Sequence, residues 1–396
     1  MTLLTGTTVG VVGAGAMGSG IAQVAAAAGH RVILGDAMSG TTAKARGSIM
    51  KSLDREVEKG KLSRAEGDAL LGRIEFVSKA VTEEVSAFRA CGLIIEAIVE
   101  DVGAKRRLFH NLEAVVGGDT VLATNTSSLS VTGIGGVCKK GDRFIGLHFF
   151  NPAPVMPLVE IIPWVGTNPA VTEACRALMT AWKKVAVLAT DTPGFIVNRI
   201  ARPFYGESIR IAEEGVADYA TIDAAMRDLG KFRMGPFELM DFIGNDVNYA
   251  VTRSVYEGFF QDPRYRPSLT QQRLVEAGYL GKKSGRGYYS YAEGAVKAAP
   301  NSDPVVALLI FERVIAMLIN EAVEAVHMNA ATPADIDLAM TRGVNYPKGL
   351  LAWCDEIGAE RVLGWMSRLH AEYSEDRYRP SPLLRRMAAD NRKFFA

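Results

Sequence analysis

The chain has 396 residues, 48% of them hydrophobic and 22% charged, which is ordinary for a soluble globular protein and leaves room for two or three domains. Its 45 Lys and Arg against 44 Asp and Glu give a net charge of +1, so no general field draws it to nucleic acid or an anionic membrane, and any anion has to be held locally. The four cysteines, Cys91, Cys138, Cys175 and Cys354, are dispersed without C-x-x-C or metal-ligand spacing; no metal site is expected, and they read as reduced thiols of a cytoplasmic protein. No basic segment precedes an apolar core at the start, and no uncharged apolar run is long enough to span a bilayer, so neither a signal peptide nor a membrane span is expected.

In chain order, Thr7–Val12 is a short β-rich run followed at once by Gly13-Ala14-Gly15-Ala16-Met17-Gly18, a G-x-G-x-x-G match. Ser19–Gly29 is Ala-rich with apolar residues at helical spacing, Arg31–Gly35 reads as a second strand, and Asp36 ends it. Strand, glycine turn, helix, strand and acid together are the context a dinucleotide fingerprint needs. Gly13 permits the tight turn, Gly15 lets backbone approach a pyrophosphate, and Gly18 allows close helix–strand packing. A carboxylate at Asp36 accepts from a ribose 2′-hydroxyl and repels a 2′-phosphate, so the expected cofactor is NAD rather than NADP.

Thr41–Leu71 reads as one charged helical stretch, and its charges alone indicate no more than a solvated face. Arg73–Val77, Gly92–Val99 and Thr120–Thr124 are further strands. Glu100 lies past the carboxyl end of the second of these, with Lys105 about a helical turn later. Asn125-Thr126-Ser127-Ser128 lies past the end of the third; such residues either donate to a ligand oxygen or cap the next helix. Arg143–Phe149 then leads to His148, and a loop containing proline separates it from the apolar run that contains Glu160. Two short strands joined by a loop can lie side by side, so His148 and Glu160 can face each other as an oriented general base. A lone histidine among apolar residues is more often structural, and spacing alone does not decide between the two.

Taken in order, the fingerprint, IIEAIVED, NTSSLSVT, GLHFFNPAPVMPLVE, DTPGFIVNRI and GPFELMDFIG resemble the L-3-hydroxyacyl-CoA dehydrogenases over essentially the whole chain. The resemblance implies His148 as catalytic base, Glu160 as its orienting carboxylate, and Ser127 and Asn198 as contacts to substrate. It further implies nicotinamide-end contacts from Glu100, Lys105, Ser127 and Asn151, and coenzyme A contacts from Ser52 and Lys59. The rivals are another β-hydroxyacid dehydrogenase and a non-catalytic, crystallin-like NAD-binding protein.

Beyond Asp191-Thr192-Pro193-Gly194 the pattern is helical, apart from a strand-like stretch near Gly287–Tyr291. Glu207, Asp223, Met226, Gly235, Asp241 and Gly244 recur 114 positions later as Glu321, Asp337, Met340, Gly349, Asp355 and Gly358. Further on, RYRPS at Arg264 recurs at Arg377, one position short of that spacing. The expected fold is thus α/β, a doubly wound Rossmann-type sheet followed by two tandem all-helical domains. Its expected boundaries are 1–190 for NAD, 191–291 for the first helical copy, 292–304 for a linker, and 305–396 for a degenerate, structural second copy. Equivalent faces are expected to pack as an internal pseudo-dimer, with a homodimer of chains also open. Glu312 stands where Asn198 would recur.

Tandem copies resemble the arrangement in bacterial 3-hydroxybutyryl-CoA and 3-hydroxyadipyl-CoA dehydrogenases, and DPRYRPS, LGKKSGRGYY and GVNYPKGLLAW look nearer to the latter. A dicarboxylic acyl chain would call for a cation at its far end; Arg202, Lys231 and Arg233 are the candidates, although loop cations are usually just solvated.

Overall fold

The computed structural model describes residues 6–38, 40–78, 85–296 and 298–395. Residues 1–5, and Lys297 within the stretch read as a linker, lie outside that description. Contacts divide the chain into two units, Met1–Asp191 and Thr192–Ala396.

The first unit carries eight strands: β1 (Val9–Val12), β2 (Val32–Asp36), β3 (Ile74–Ser78), β4 (Leu93–Glu96), β5 (Val121–Thr124), β6 (Phe144–Phe149), β7 (Leu158–Pro163) and β8 (Val185–Leu188). They form one sheet in the order β3-β2-β1-β4-β5-β6-β7-β8, parallel throughout except for the β6–β7 pair. This is the doubly wound arrangement expected from the sequence, with an antiparallel extension at β7. Parallel neighbours need crossovers, and α1 (Ala16–Ala27), α2 (Thr41–Glu58), α3 (Arg64–Gly72), α4 (Val102–Val115), α5 (Val131–Gly135) and α6 (Pro169–Ala181) lie between or beside the strands. Strands β1, β4 and β5 are buried along their whole length, as strands covered on both faces must be.

Two stretches differ from what the sequence led one to expect. Thr41–Leu71 is two helices rather than one, because Gly60 turns the chain at φ +69° and Ser63 with Glu66 forms a capping box that starts α3. The strand-like stretch near Gly287–Tyr291 makes only isolated bridges, Gly281 with Arg286 and Arg286 with Ser290.

The second unit is helical. Its first half holds α7 (Val197–Ile200), α8 (Arg202–Glu213), α9 (Tyr219–Asp228), α10 (Pro236–Ile243), α11 (Asn245–Gly258) and α12 (Leu269–Glu276). Its second half holds α13 (Pro304–His327), α14 (Pro333–Gly343), α15 (Leu350–Ile357), α16 (Ala359–Tyr373) and α17 (Pro382–Ala389). From α9 onward each helix of the first half has a counterpart at the repeat spacing. The repeated acids also do the same work twice. Asp223 accepts the N–H groups of Phe237 and Glu238 at the start of α10, and Asp337 accepts those of Leu351 and Ala352 at the start of α15. Asp241 accepts from the backbone of Tyr288 and Tyr289, and Asp355 from that of Phe394 and Phe395.

The two halves also bond to each other reciprocally. Arg199 Nε donates to Glu321 Oε1 at 2.6 Å, and its counterpart Arg313 donates to Glu207, the counterpart of Glu321, also at 2.6 Å. Tyr265 donates to Glu321 at 2.6 Å and Tyr378 to Glu207 at 2.7 Å. Both carboxylates and both tyrosines are almost wholly buried.

Candidate active site

The fingerprint turn is held by sterics that only glycine meets. Gly13 sits at φ +104°, and a side chain there would strike the backbone of Ala97. A Cβ on Gly18 would lie 1.7 Å from the carbonyl oxygen of Gly13, so α1 can approach the turn only without one. Gly15 is different: nothing lies within 4 Å of where its Cβ would be, so that backbone faces open space. It is also the N-cap of α1 and supplies no side chain, leaving the first-turn N–H groups to an anion. Asp36, at the end of β2, is fixed by Ala14 N–H on Oδ2 and Met38 N–H on Oδ1, each at 2.8 Å. A cavity of about 660 Å³ opens between Gly13, Gly15, Asp36 and Met38 on one side and Val99, Ala104 and Arg107 on the other. Its size and its glycine wall suit the adenosine half of NAD.

The carboxyl ends of β4 and β5 carry a polar chain. Glu96 is fully buried in β4 and accepts from Lys105 Nζ at 2.5 Å, Thr124 Oγ1 at 2.7 Å and Ile98 N–H at 2.7 Å. Burial pushes its carboxyl upward against those donors. Lys105, itself buried, reaches Glu100 at 3.1 Å. Glu100 also accepts from Thr126 Oγ1 at 2.5 Å, from Ser127 N–H at 3.0 Å and from Ser128 Oγ at 3.1 Å. Desolvation would raise the Glu100 carboxyl, but Lys105 and the hydrogen bonds outweigh it and hold it below the usual carboxylate range. Glu100, Lys105 and Ser127 are therefore one connected group. The sequence reading missed Glu96, although a lone acid inside an apolar strand is a visible signal. It also left open whether the NTSS stretch caps a helix; α5 is capped by Ser130, which accepts from Gly133 N–H, and Asp191 adds bonds to the N–H groups of Val131 and Thr132.

His148 and Glu160 are direct cross-strand partners in the antiparallel β6–β7 pair. Register puts both side chains on one face of the sheet. His148 Nδ1 lies 2.6 Å from Glu160 Oε2, with Glu160 fully buried and His148 nearly so. The Phe150 ring lies 4.5 Å from the imidazole, centroid to centroid. Asn125 Oδ1 accepts Phe149 N–H at 2.8 Å, which pins the end of β6 to the loop that carries Ser127. A proton held on Nδ1 by the carboxylate makes Nε2 the basic nitrogen.

The remaining predicted residues are spread further. Asn151 and Ser52 line a groove of about 490 Å³ with Gly15, Gln23, Lys44 and Ser48, and Gln23 Nε2 donates to Ser52 Oγ at 3.3 Å. Lys59 is exposed just past the end of α2, with Nζ 3.6 Å from Glu56. Asn198 belongs to the second unit, in α7. Among the three cations considered for a dicarboxylic chain, Lys231 and Arg233 are exposed between α9 and α10, whereas Arg202 is buried. All four cysteines are free and buried. Among the described residues, no helix is long and apolar enough to cross a membrane.

Residues 8–192 match the family model for the 3-hydroxyacyl-CoA dehydrogenase NAD binding domain. The model for the C-terminal domain of the same enzymes matches twice, over 194–291 and 309–393. The chain is 38% identical to the 3-hydroxyadipyl-CoA dehydrogenase of Escherichia coli (strain K12), in an alignment covering 96% of this chain and 97% of that one. It is 40% identical to the 3-hydroxybutyryl-CoA dehydrogenase of Bradyrhizobium diazoefficiens, over 72% of this chain and 94% of that one. The crystal structure of 3-hydroxybutyryl-CoA dehydrogenase from Escherichia coli K12 superposes with a TM-score of 0.90 at 37% identity, covering 98% of this chain and 99% of that chain. On these matches and the fingerprint geometry, the chain belongs to the 3-hydroxyacyl-CoA dehydrogenase family and is an NAD-dependent oxidoreductase.

Proposed function

We propose that this enzyme oxidises the 3-hydroxyl of an L-3-hydroxyacyl-CoA with His148 as general base, and that its acyl chain is the dicarboxylic 3-hydroxyadipyl chain ahead of 3-hydroxybutyryl. The observation that carries the first part is the buried 2.6 Å bond from His148 to Glu160, fixed by strand register. The second part is supported by the match to the relative named for 3-hydroxyadipyl-CoA and by DPRYRPS, LGKKSGRGYY and GVNYPKGLLAW, which look nearer to that group; length does not separate the two, because a 3-hydroxybutyryl-CoA dehydrogenase structure matches over the whole chain as well.

NAD, when bound, supplies the hydride acceptor. Nε2 of His148 takes the proton of the 3-hydroxyl as the C3–H bond gives up its hydride, and Glu160 stabilises the imidazolium that forms. Ser127 and Asn198 hold the substrate oxygens so that both transfers are aligned. Glu100, Lys105 and Asn151 hold the nicotinamide end, the three glycines and Asp36 hold the adenosine end, and Ser52 with Lys59 holds the coenzyme A. The second helical copy is structural: Glu312 replaces the asparagine. The reciprocal Arg–Glu bonds support its reading as half of an internal pseudo-dimer. The buried thiols fit a cytoplasmic enzyme.

The test is NADH oxidation against acetoacetyl-CoA, longer 3-oxoacyl-CoAs and 3-oxoadipyl-CoA. The expected kcat/KM for 3-oxoadipyl-CoA exceeds that for acetoacetyl-CoA by about tenfold or more. NADH binding without turnover of any 3-oxoacyl-CoA would sink the catalytic reading, and a preference for acetoacetyl-CoA would sink the acyl-chain assignment. Cofactor choice is tested separately. Asp36→Asn keeps an oxygen for the Ala14 N–H but removes the charge, so the NADP-to-NAD ratio of kcat/KM should rise at least about tenfold, since facing like charges costs several kcal/mol. An unchanged ratio would mean that Asp36 does not face the ribose.

A further inference from the structure

The repeat offers an internal control for Asn198. In the second half, α13 runs unbroken from Pro304 to His327. The equivalent stretch of the first half turns through residues 193–196, forms the single turn α7, and restarts as α8 at Arg202. Asn198 lies on that single turn.

The break has a local cause. Pro203 has no N–H, so the carbonyl of Arg199 loses its helical donor, and Phe204 N–H bonds Ala201 instead. The Arg202 side chain then folds back: its Nε donates to the carbonyl of Asn198 at 2.7 Å. Its Nη1 donates to Thr252 Oγ1 at 3.0 Å and lies 3.4 Å from the carbonyl of Asn248. Thr252 donates to that same carbonyl, and Gln271 Nε2 donates to the Asn248 side chain at 3.1 Å. All four side chains are buried, and the charge of Arg202 is answered by neutral acceptors and by the face of Tyr205, with no ion pair among the described residues.

The second copy does without this network. Where the first has Arg202, Pro203, Asn248, Thr252 and Gln271, the second has Ala316, Met317, Val362, Met366 and Leu384, all buried and apolar. The fold therefore stands with an oily cluster at this place, and burying a guanidinium without a carboxylate is costly. That cost is borne only in the copy that carries Asn198. We propose that Arg202 is a positioning residue for Asn198: its guanidinium caps the Asn198 carbonyl at the break in the helix and, with Thr252 and Asn248, fixes the turn that presents the asparagine.

This rests on the reading that Asn198 contacts substrate, and Asn198→Ala tests that reading by itself: wild-type turnover in that variant would remove it. Given the expected loss of about 10²-fold in kcat/KM for Asn198→Ala, Arg202→Met should lose about 10- to 10²-fold, mostly in kcat, with NADH affinity unchanged. The double variant Arg202→Met/Asn198→Ala should be no worse than Asn198→Ala by more than about threefold, because both remove one function. Multiplying losses would overturn the proposal. So would a loss in Arg202→Met confined to 3-oxoadipyl-CoA and absent with acetoacetyl-CoA, since Arg202 would then read the acyl chain. Arg202→Lys, which keeps a donor and the charge, covers the case in which the methionine variant fails to fold, and should recover part of kcat; no recovery with a folded protein would also count against the proposal.

Discussion

His148→Gln lowers kcat by about 10³- to 10⁴-fold and leaves NADH affinity within about twofold of wild type. Glutamine fills most of the imidazole volume and can still hydrogen-bond Glu160, so the β6–β7 pair keeps its register. It cannot take a proton near neutral pH. The loss therefore falls on the chemical step, while the glycine turn and Asp36, which lie on other strands, are untouched. Glu160→Gln is the companion variant. An amide in place of the fully buried carboxylate keeps the contact but removes the charge that stabilises an imidazolium, and it allows the proton on the wrong ring nitrogen. Its expected loss is about 10²- to 10³-fold. Combining the two should cost little more than His148→Gln alone, because residues that act as a unit are not additive. Single-turnover NADH oxidation with acetoacetyl-CoA reads the chemistry, and fluorescence titration reads the binding. Near-normal turnover in His148→Gln would remove His148 as the base.

Much of this arrangement was legible before any coordinates, for reasons that differ by residue. The glycine turn was readable because its three positions each answer a steric demand, and two of those demands are visible as contacts at Gly13 and Gly18. Two apolar runs with a short loop between them allowed His148 and Glu160 to face each other, and the register of the antiparallel pair decides it. The repeat spacing pointed to equivalent faces packing together, but the Arg–Glu pairs that join them emerge only from the structure. Other features were hidden. The break between α2 and α3 depends on one glycine at positive φ and a capping box within an otherwise continuous helical pattern. Glu96 was visible as an oddity, but its partners lie on α4 and β5 and only the sheet order brings them together. Arg202 stood among three loop cations considered for a dicarboxylic acyl chain; its burial depends on α11 and α12, which no local pattern connects to it. Ser52 sits on the charged α2 and Lys59 just past its end, and their spacing says only that both lie toward one side.

The largest expected effect on stability is at the join of the helical copies. Arg313→Ala should destabilise the fold by about 3–5 kcal/mol, because it strands Glu207 as a buried carboxylate. Glu207 would keep Tyr378 as a donor at 2.7 Å and Arg377 at 3.8 Å, too little to offset the lost 2.6 Å contact. Glu214, which pairs with the same guanidinium at 2.8 Å, is partly exposed and can turn to water at small cost. Replacing both partners with methionine should recover most of the loss, since an apolar pair carries no stranded charge. The contrast between single and double variants separates the penalty of an orphaned charge from the net worth of the pair. Urea unfolding measures it, and a loss below about 1 kcal/mol in Arg313→Ala would show the pair to be incidental. The mirror variant Arg199→Ala should cost a similar amount, because Glu321 is enclosed in the same way by Arg199, Tyr265 and Arg264. Equal losses at the two joints are what an isologous contact requires, in which each half gives the other an arginine and receives a glutamate. In a chain that carries both halves, that exchange is satisfied internally, so the unfolding midpoint should not depend on protein concentration as it does when a fold waits on a second copy.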